Sequence, residues 1–94
     1  MTNLETKVLE AIIGSDFNAG SGIAGEELIG NAIWADSILD ALADDGVAPA
    51  SRGGAIASCT KKGFVNFWED DDGDLIALTR EGFDAAAKAG IDLS

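Results

Sequence analysis

The sequence contains no histidine and only one cysteine, Cys59, among its 94 residues. Without histidine there is no His-based catalytic triad and no imidazole ligand for a transition metal. A lone cysteine forms neither an intramolecular disulfide nor a cysteine metal cluster, which excludes a zinc site. Serine, aspartate and lysine residues are present, but none has a recognisable catalytic spacing. We therefore predict no enzyme, no metal site and no cofactor.

Long apolar runs are also missing. No run approaches the roughly 20 residues that span a membrane, and the first residues include Glu5, Lys7 and Glu10 instead of a signal-peptide pattern. Apolar residues nevertheless make up 47% of the chain, which is enough for one hydrophobic core. The sequence predicts a single cytoplasmic domain over residues 1–94 with no membrane contact.

Basic residues are few, six against 17 acidic ones, and the net charge is −11. The charge is unevenly distributed: residues 1–50 balance at −8, residues 51–68 at +3 and residues 69–94 at −6. The acidity has two interpretations, a surface that keeps the protein dispersed or one that imitates or avoids nucleic acid. The middle segment is the only positive stretch, because it holds Arg52, Lys61 and Lys62 and no acid.

Helical periodicity dominates the first half of the chain. Thr2 or Asn3 is predicted to cap a first helix with apolar residues every four positions, ending at 14–16. Residues 18–25 are rich in glycine and predict a loop, which residues 26–29 either continue or interrupt with a helical turn. A second helix is predicted over about 32–42, with a break at Pro49. Its helical spacing is carried by Ile33, Trp34, Ile38, Leu39 and Leu42.

A third helix, a hairpin and a last helix are predicted in the second half. Ser51 is expected to cap a helix from about Arg52 to Lys62, which Gly63 ends. Residues 64–68 and 75–78 then predict two strands joined by an Asp-Gly turn at 71–74. Thr79 is expected to cap a final helix through about Ala89. We expect Trp34 and Trp68 in the core or at its edge, and Cys59 as a packing residue.

Two short motifs resemble MarR-type winged-helix proteins. Residues 56–65, Ile-Ala-Ser-Cys-Thr-Lys-Lys-Gly-Phe-Val, are similar to the end of that family's recognition helix as it leads into the wing. Residues 78–82, Leu-Thr-Arg-Glu-Gly, resemble its Leu-Thr-x-x-Gly segment after the wing. The resemblance covers about residues 32–89 and implies an α+β winged helix-turn-helix. That fold would have a three-helix core, a two-stranded β-hairpin wing and a C-terminal helix.

In a winged helix the third helix enters the major groove of DNA, so the resemblance implies a DNA-binding surface on residues 51–62. Arg52 would contact guanine, and the serines would reach phosphates or nucleobases. The glycine would allow close approach, and the remaining lysine and arginine side chains would contact phosphate. The predicted DNA-binding residues are Ser51, Arg52, Gly53, Ser58, Lys61, Lys62 and Arg80.

Two functions remain open at this point. The first is a small DNA-binding protein, a transcriptional regulator or phage-type accessory factor, that needs a homodimer or another partner for sufficient contact. The alternative is an acidic protein-interaction module or DNA mimic that binds a basic protein. The positive segment at the third helix favours DNA. The acidic wing tip, residues 69–72 with Asp74, opposes it, because DNA affinity depends on neutralising phosphates.

Overall fold

The computed structural model describes residues 1–93, with every side chain except that of Phe17, and Ser94 of the predicted domain lies outside the described residues. Within this range the chain is α+β, as predicted. A 3-10 turn lies at Gly25–Leu28. The helices are α1 (Asn3–Ile13), α2 (Asp16–Gly20), α3 (Ala35–Asp44), α4 (Pro49–Lys61) and α5 (Arg80–Lys88), and the strands are β1 (Ile33–Trp34), β2 (Val65–Asp70) and β3 (Gly73–Leu78).

The described strands form one antiparallel sheet in the order β1-β3-β2. The two predicted strands are present as β2 and β3, but the predicted number of strands was wrong, because Ile33 and Trp34 form a third strand that pairs with Ile76 and Leu75 of β3. Two residues are too few to show the alternation of a strand. Both residues also fitted the helical spacing of the residues after them. The predicted helix therefore began at about residue 32, three residues before α3 begins at Ala35.

Helix α4 begins earlier than predicted, at Pro49. Proline suits the first turn of a helix because it has no N–H to lose there and its φ is already helical. The predicted break is therefore the start of the helix. Ala48 occupies the N-cap position without a side-chain hydrogen bond, and Ser51 lies inside the first turn and does not cap it. Only residues 45–48 separate α3 from α4.

The glycine-rich region is also more ordered than predicted. Residues 16–20 form the short helix α2, and Gly25–Leu28 form the 3-10 turn, which is the helical turn that the sequence allowed as an alternative to a loop. The buried amide of Asn18 fixes this region, because its Nδ2 donates a 2.7 Å hydrogen bond to the Ile12 carbonyl. Its Oδ1 accepts a 2.8 Å hydrogen bond from Asn31. Long-range bonds of this kind leave no mark in a local pattern.

The hydrophobic core lies between the helices and one face of the sheet. Helices α1, α3 and α4 contact one another, and α1 and α3 also contact β3. Burying these apolar side chains is the main term that stabilises the fold. The largest apolar side chains with almost no exposure are Val8, Leu9, Ile12, Leu28, Ile38, Leu42, Val65, Ile76 and Leu78.

The two motifs that carry the family resemblance meet in one joint. The Thr79 N–H donates a 3.1 Å hydrogen bond to the Phe64 carbonyl, and the Thr79 hydroxyl donates to the Gly63 carbonyl. The same hydroxyl oxygen caps α5 by accepting from the Gly82 N–H at 3.0 Å. The predicted roles of Gly63, whose φ is +78°, and of Thr79 are confirmed. The motifs thus have a structural explanation that requires no ligand.

Candidate binding surface

The seven residues predicted to bind DNA do not form one outward-facing surface. Five lie within α4, Lys62 caps its C-terminal end, and Arg80 begins α5. Gly53, Lys61, Lys62 and Arg80 are exposed, and Ser51 is half-buried in the first turn. Arg52, Ser58 and Lys62 make hydrogen bonds to other parts of the chain, so Lys62 is exposed but already paired. The helix therefore presents fewer unpaired basic side chains than its sequence suggests.

A buried carboxylate organises the C-terminal half of α4. The Glu5 side chain has no exposed surface. Its Oε2 accepts a hydrogen bond from the Ser58 hydroxyl, and its Oε1 accepts from Lys62 Nζ at 2.9 Å and from the Thr2 N–H at 2.7 Å. Three donors thus satisfy a charge that would otherwise be very unfavourable in the interior. Ser58 and Lys62 are consequently part of the tertiary structure.

The pKa of Glu5 shows that it stays ionised. The Ser58 hydrogen bond, followed by those of the Thr2 N–H and Lys62, lowers that pKa from 4.5 to about 2. Glu5 also lies in the first turn of α1, where the helix dipole favours a negative charge. Sequence reasoning missed this residue, although Thr2-x-x-Glu5 matches the capping-box pattern. The capping box is present, but no local signal links Glu5 to α4.

The two predicted arginines are also engaged. Arg52 is half-buried, and its Nε donates a 2.8 Å hydrogen bond to the Val47 carbonyl in the turn before α4. Arg80 Nη1 lies 3.4 Å from Glu26 Oε1, and Arg80 Cζ lies 5.8 Å from the centre of the Phe83 ring. The hydrogen bond to Val47 directs the Arg52 side chain toward the turn before α4. The contact with Glu26 offsets the positive charge of Arg80 with a carboxylate.

The outward side of α4 borders an apolar groove of about 430 Å³. Lys61 is the cation on its rim, and Asp74 of β3 is the carboxylate. The other lining residues are Ala35, Leu39, Gly53, Ile56, Ala57, Thr60 and Phe67. A surface that follows a phosphate backbone requires several cations, so this groove is better suited to apolar side chains.

Both tryptophans are exposed, so of the two predicted positions, in the core or at its edge, the core is excluded. Trp34 is 46% exposed and Trp68 is 40% exposed. In the sheet register both stand opposite Leu75, whereas the neighbouring Ile33 and Phe67 stand opposite the buried Ile76. Residues opposite one another share a face, and successive residues alternate faces. The pairing therefore places the two indoles on the outer face of the sheet.

The hairpin tip is strongly acidic. Pairing continues to Asp70 and Gly73, so Asp71 and Asp72 alone form the turn. The five carboxylates of residues 69–72 and Asp74 are exposed, and none makes an ion pair within the described chain. They stand close to Trp68, which pairs one position away from the Glu69–Asp74 pair. This end of the sheet combines exposed aromatic surface with unneutralised negative charge.

Cys59 is buried, in agreement with its predicted packing role. Burial, reinforced by the charge of Glu5, raises the pKa of its thiol to about 12. Among the described residues no three acidic or cysteine side chains are placed to hold a metal ion. No described helix is both long and apolar enough to cross a membrane.

No protein-family model, no curated protein and no solved structure matches this chain. Its own surface is therefore the basis for a functional proposal.

Proposed function

We propose that this chain is a winged-helix domain that binds a basic protein partner instead of reading duplex DNA. The order of elements supports the fold: α3 and α4 are joined by a short turn, and the β2–β3 hairpin follows directly. The short strand β1 pairs with β3 and anchors the hairpin to the helices. In such a domain α4 would be the recognition helix and the hairpin would be the wing.

The observation that carries the proposal is the capture of the α4 cation Lys62 by the buried Glu5. Affinity for DNA comes largely from neutralising phosphates with lysine and arginine. With Lys62 bound to Glu5 and Arg52 directed to its own turn, Lys61 is the cation on the α4 groove, where Asp74 opposes it. This small number of unpaired cations, in a chain of net charge −11, supports a partner other than phosphate.

The exposed groups at the hairpin suit a basic protein. Lysine and arginine side chains gain Coulomb attraction from the tip carboxylates, which makes association faster and more selective. Aromatic residues are enriched in protein interfaces, and an arginine also stacks on an indole face. Trp68 and the acids at the tip offer both interactions in one place.

Direct titration tests the choice between the two partners. We expect no saturable binding to a mixed-sequence duplex of about 30 base pairs at low salt, conditions that favour any protein–DNA attraction. A basic protein captured from the source cells and then purified should instead bind with defined stoichiometry. Saturable duplex binding in place of such a complex would overturn the proposal.

Charge-matched variants make this test specific. Asp71→Asn with Asp72→Asn removes two charges at the tip, whereas Glu81→Gln with Asp84→Asn removes two exposed charges on α5. We expect the tip variant to weaken the purified complex about fivefold or more and the α5 variant to change it little, because screened charges act over about 10 Å. Equal losses would indicate general attraction to a polyanion and would contradict a defined surface.

DNA binding remains a second candidate because of one observation. At Gly53 and Gly54 an added Cβ would meet no other atom, so the α4 backbone is open to close approach beside Lys61. Under this alternative Lys61→Gln should lower duplex affinity and reduce the salt dependence by about one counterion. The protein-binding proposal predicts that this variant leaves duplex retention unchanged.

A further inference from the structure

We propose that strand β2 accepts an extended basic segment of the partner as an additional strand of the sheet. This inference rests on the proposed function and specifies how the partner is held. It follows from the position of β2 in the sheet, from the side chains on its two faces and from the charge at its end.

Strand β2 is an edge strand. In the order β1-β3-β2 it pairs only with β3 among the described residues. Its outward backbone N–H and C=O groups make no other hydrogen bond there. Residues 66–70 are all exposed. Such an edge is a ready template for another strand, and strand addition is a recurring way in which domains hold peptides.

The two faces of β2 offer different surfaces to the added strand. Phe67, 36% exposed, lies on the face of Ile76 and borders the apolar groove beside α4. Trp68 lies on the outer face. A new strand would run about 4.8 Å from β2 with side chains alternating between these faces. Apolar residues would cover Phe67, and arginines would stack on Trp68.

The negative charge at the end of β2 determines which kind of segment can pair with this strand. Glu69 and Asp70 end the strand, and the acidic turn follows. A second copy of this chain would bring two charges of −11 together, which opposes self-association. A segment in which basic and apolar residues alternate satisfies the carboxylates, the indole and the groove together. The partner is therefore inferred to be a protein with an exposed basic strand or extended tail.

A blocked peptide of about eight residues in which arginine and valine alternate is a suitable probe. We expect it to bind at millimolar concentration or better and to slow hydrogen exchange of the outward-pointing β2 amides about tenfold at saturation. N-methylation of alternate residues should weaken binding about tenfold, because it removes the N–H donors of one strand edge while charge and composition stay similar. Replacing arginine by glutamate should abolish binding.

The chain supplies its own matched control. Trp68→Ala should weaken the peptide about fivefold, whereas Trp34→Ala should weaken it less, because Trp34 shares the outer face but is separated from β2 by β3. Absence of peptide binding, unchanged exchange in β2, equal effects of the two tryptophan variants, or occupation of β2 by a second copy would each overturn the inference. If the purified basic partner still binds through the hairpin tip in those cases, the proposed function survives.

Discussion

Lys62, at the C-terminal end of α4, donates a 2.9 Å hydrogen bond to the buried carboxylate of Glu5 in the first turn of α1. The two residues are 57 positions apart. One end of α4 is thereby fastened to the N-terminus of α1, and Ser58 shares the same carboxylate. Lys62, which the sequence pattern predicted to contact phosphate, thus stabilises the packing of α1 against α4.

Removing the charge of Glu5 should destabilise the protein. Glu5→Gln leaves Lys62 and Ser58 with a weaker acceptor, and breaking a buried charged pair costs about 3–5 kcal/mol, less here because Lys62 is partly solvated. We expect a loss of about 2–3 kcal/mol in the free energy of unfolding, measured with urea. Glu10→Gln, an exposed change on the same helix, should alter it by less than about 0.5 kcal/mol. Equal effects of the two variants would refute the role assigned to Glu5.

The same carboxylate predicts a pH dependence. The folded pKa of Glu5 is lowered to about 2 from 4.5, so its ionisation stabilises the folded state. This contribution is therefore complete above the unfolded pKa of 4.5 and is lost as pH falls toward 2. Unfolding free energies of the wild type and Glu5→Gln, measured by urea from pH 7 to pH 2.5, should therefore converge in acid. A constant difference would contradict the lowered pKa.

Gly82 should tolerate no side chain. A Cβ there would overlap the Phe64 carbonyl and come within 2.9 Å of Leu78 Cδ1. We expect Gly82→Ala to lower the free energy of unfolding by about 2 kcal/mol or more, because the overlap with a backbone group forces the joint to shift. Gly53→Ala is the control in an open helical position, where alanine should stabilise α4 by about 0.5–1 kcal/mol. Thermal unfolding of both variants tests the contrast, and a stable Gly82→Ala would show that α5 is not held against Phe64.

Cys59 should be unreactive in the folded protein. Burial denies access to reagents, and the raised pKa of about 12 keeps the thiol protonated at neutral pH. At pH 8 we expect labelling by a thiol-specific reagent to be about 100-fold slower in the native chain than in urea. The unfolded chain is the internal control. Rapid, complete labelling without denaturant would show that the α1–α4 contact opens readily.

Local patterns in the sequence predicted the local structure well. Thr2 and Thr79 cap their helices as expected, and Gly63 follows α4 in a left-handed conformation. The Asp-Gly signal placed the hairpin, although the strands extend to Asp70 and Gly73 and shorten the turn. These features depend on backbone conformation and on hydrogen bonds within a few residues. The local sequence is therefore sufficient to predict them.

The two motifs that carry the family resemblance have a structural role in this chain. They supply the joint between Phe64 and Gly82, where a close backbone approach requires a glycine. Such a joint is needed to seat α5 against the start of the hairpin whatever the domain binds. The DNA-binding roles assigned to α4 stay a prediction, and the directions of Arg52, Ser58 and Lys62 favour the alternative partner.

The sequence by itself determined the α+β class, the order of the main elements and the excess of negative charge. Tertiary structure alone decided that Ile33 and Trp34 form a strand, that the indoles face outward and that Glu5 holds Lys62. The partners of Ile33 and Trp34 in the sheet lie more than 40 positions away along the chain, and Lys62 lies 57 positions from Glu5. Periodicity and capping signals act over one or two turns, whereas the direction of a side chain is set by what packs against it.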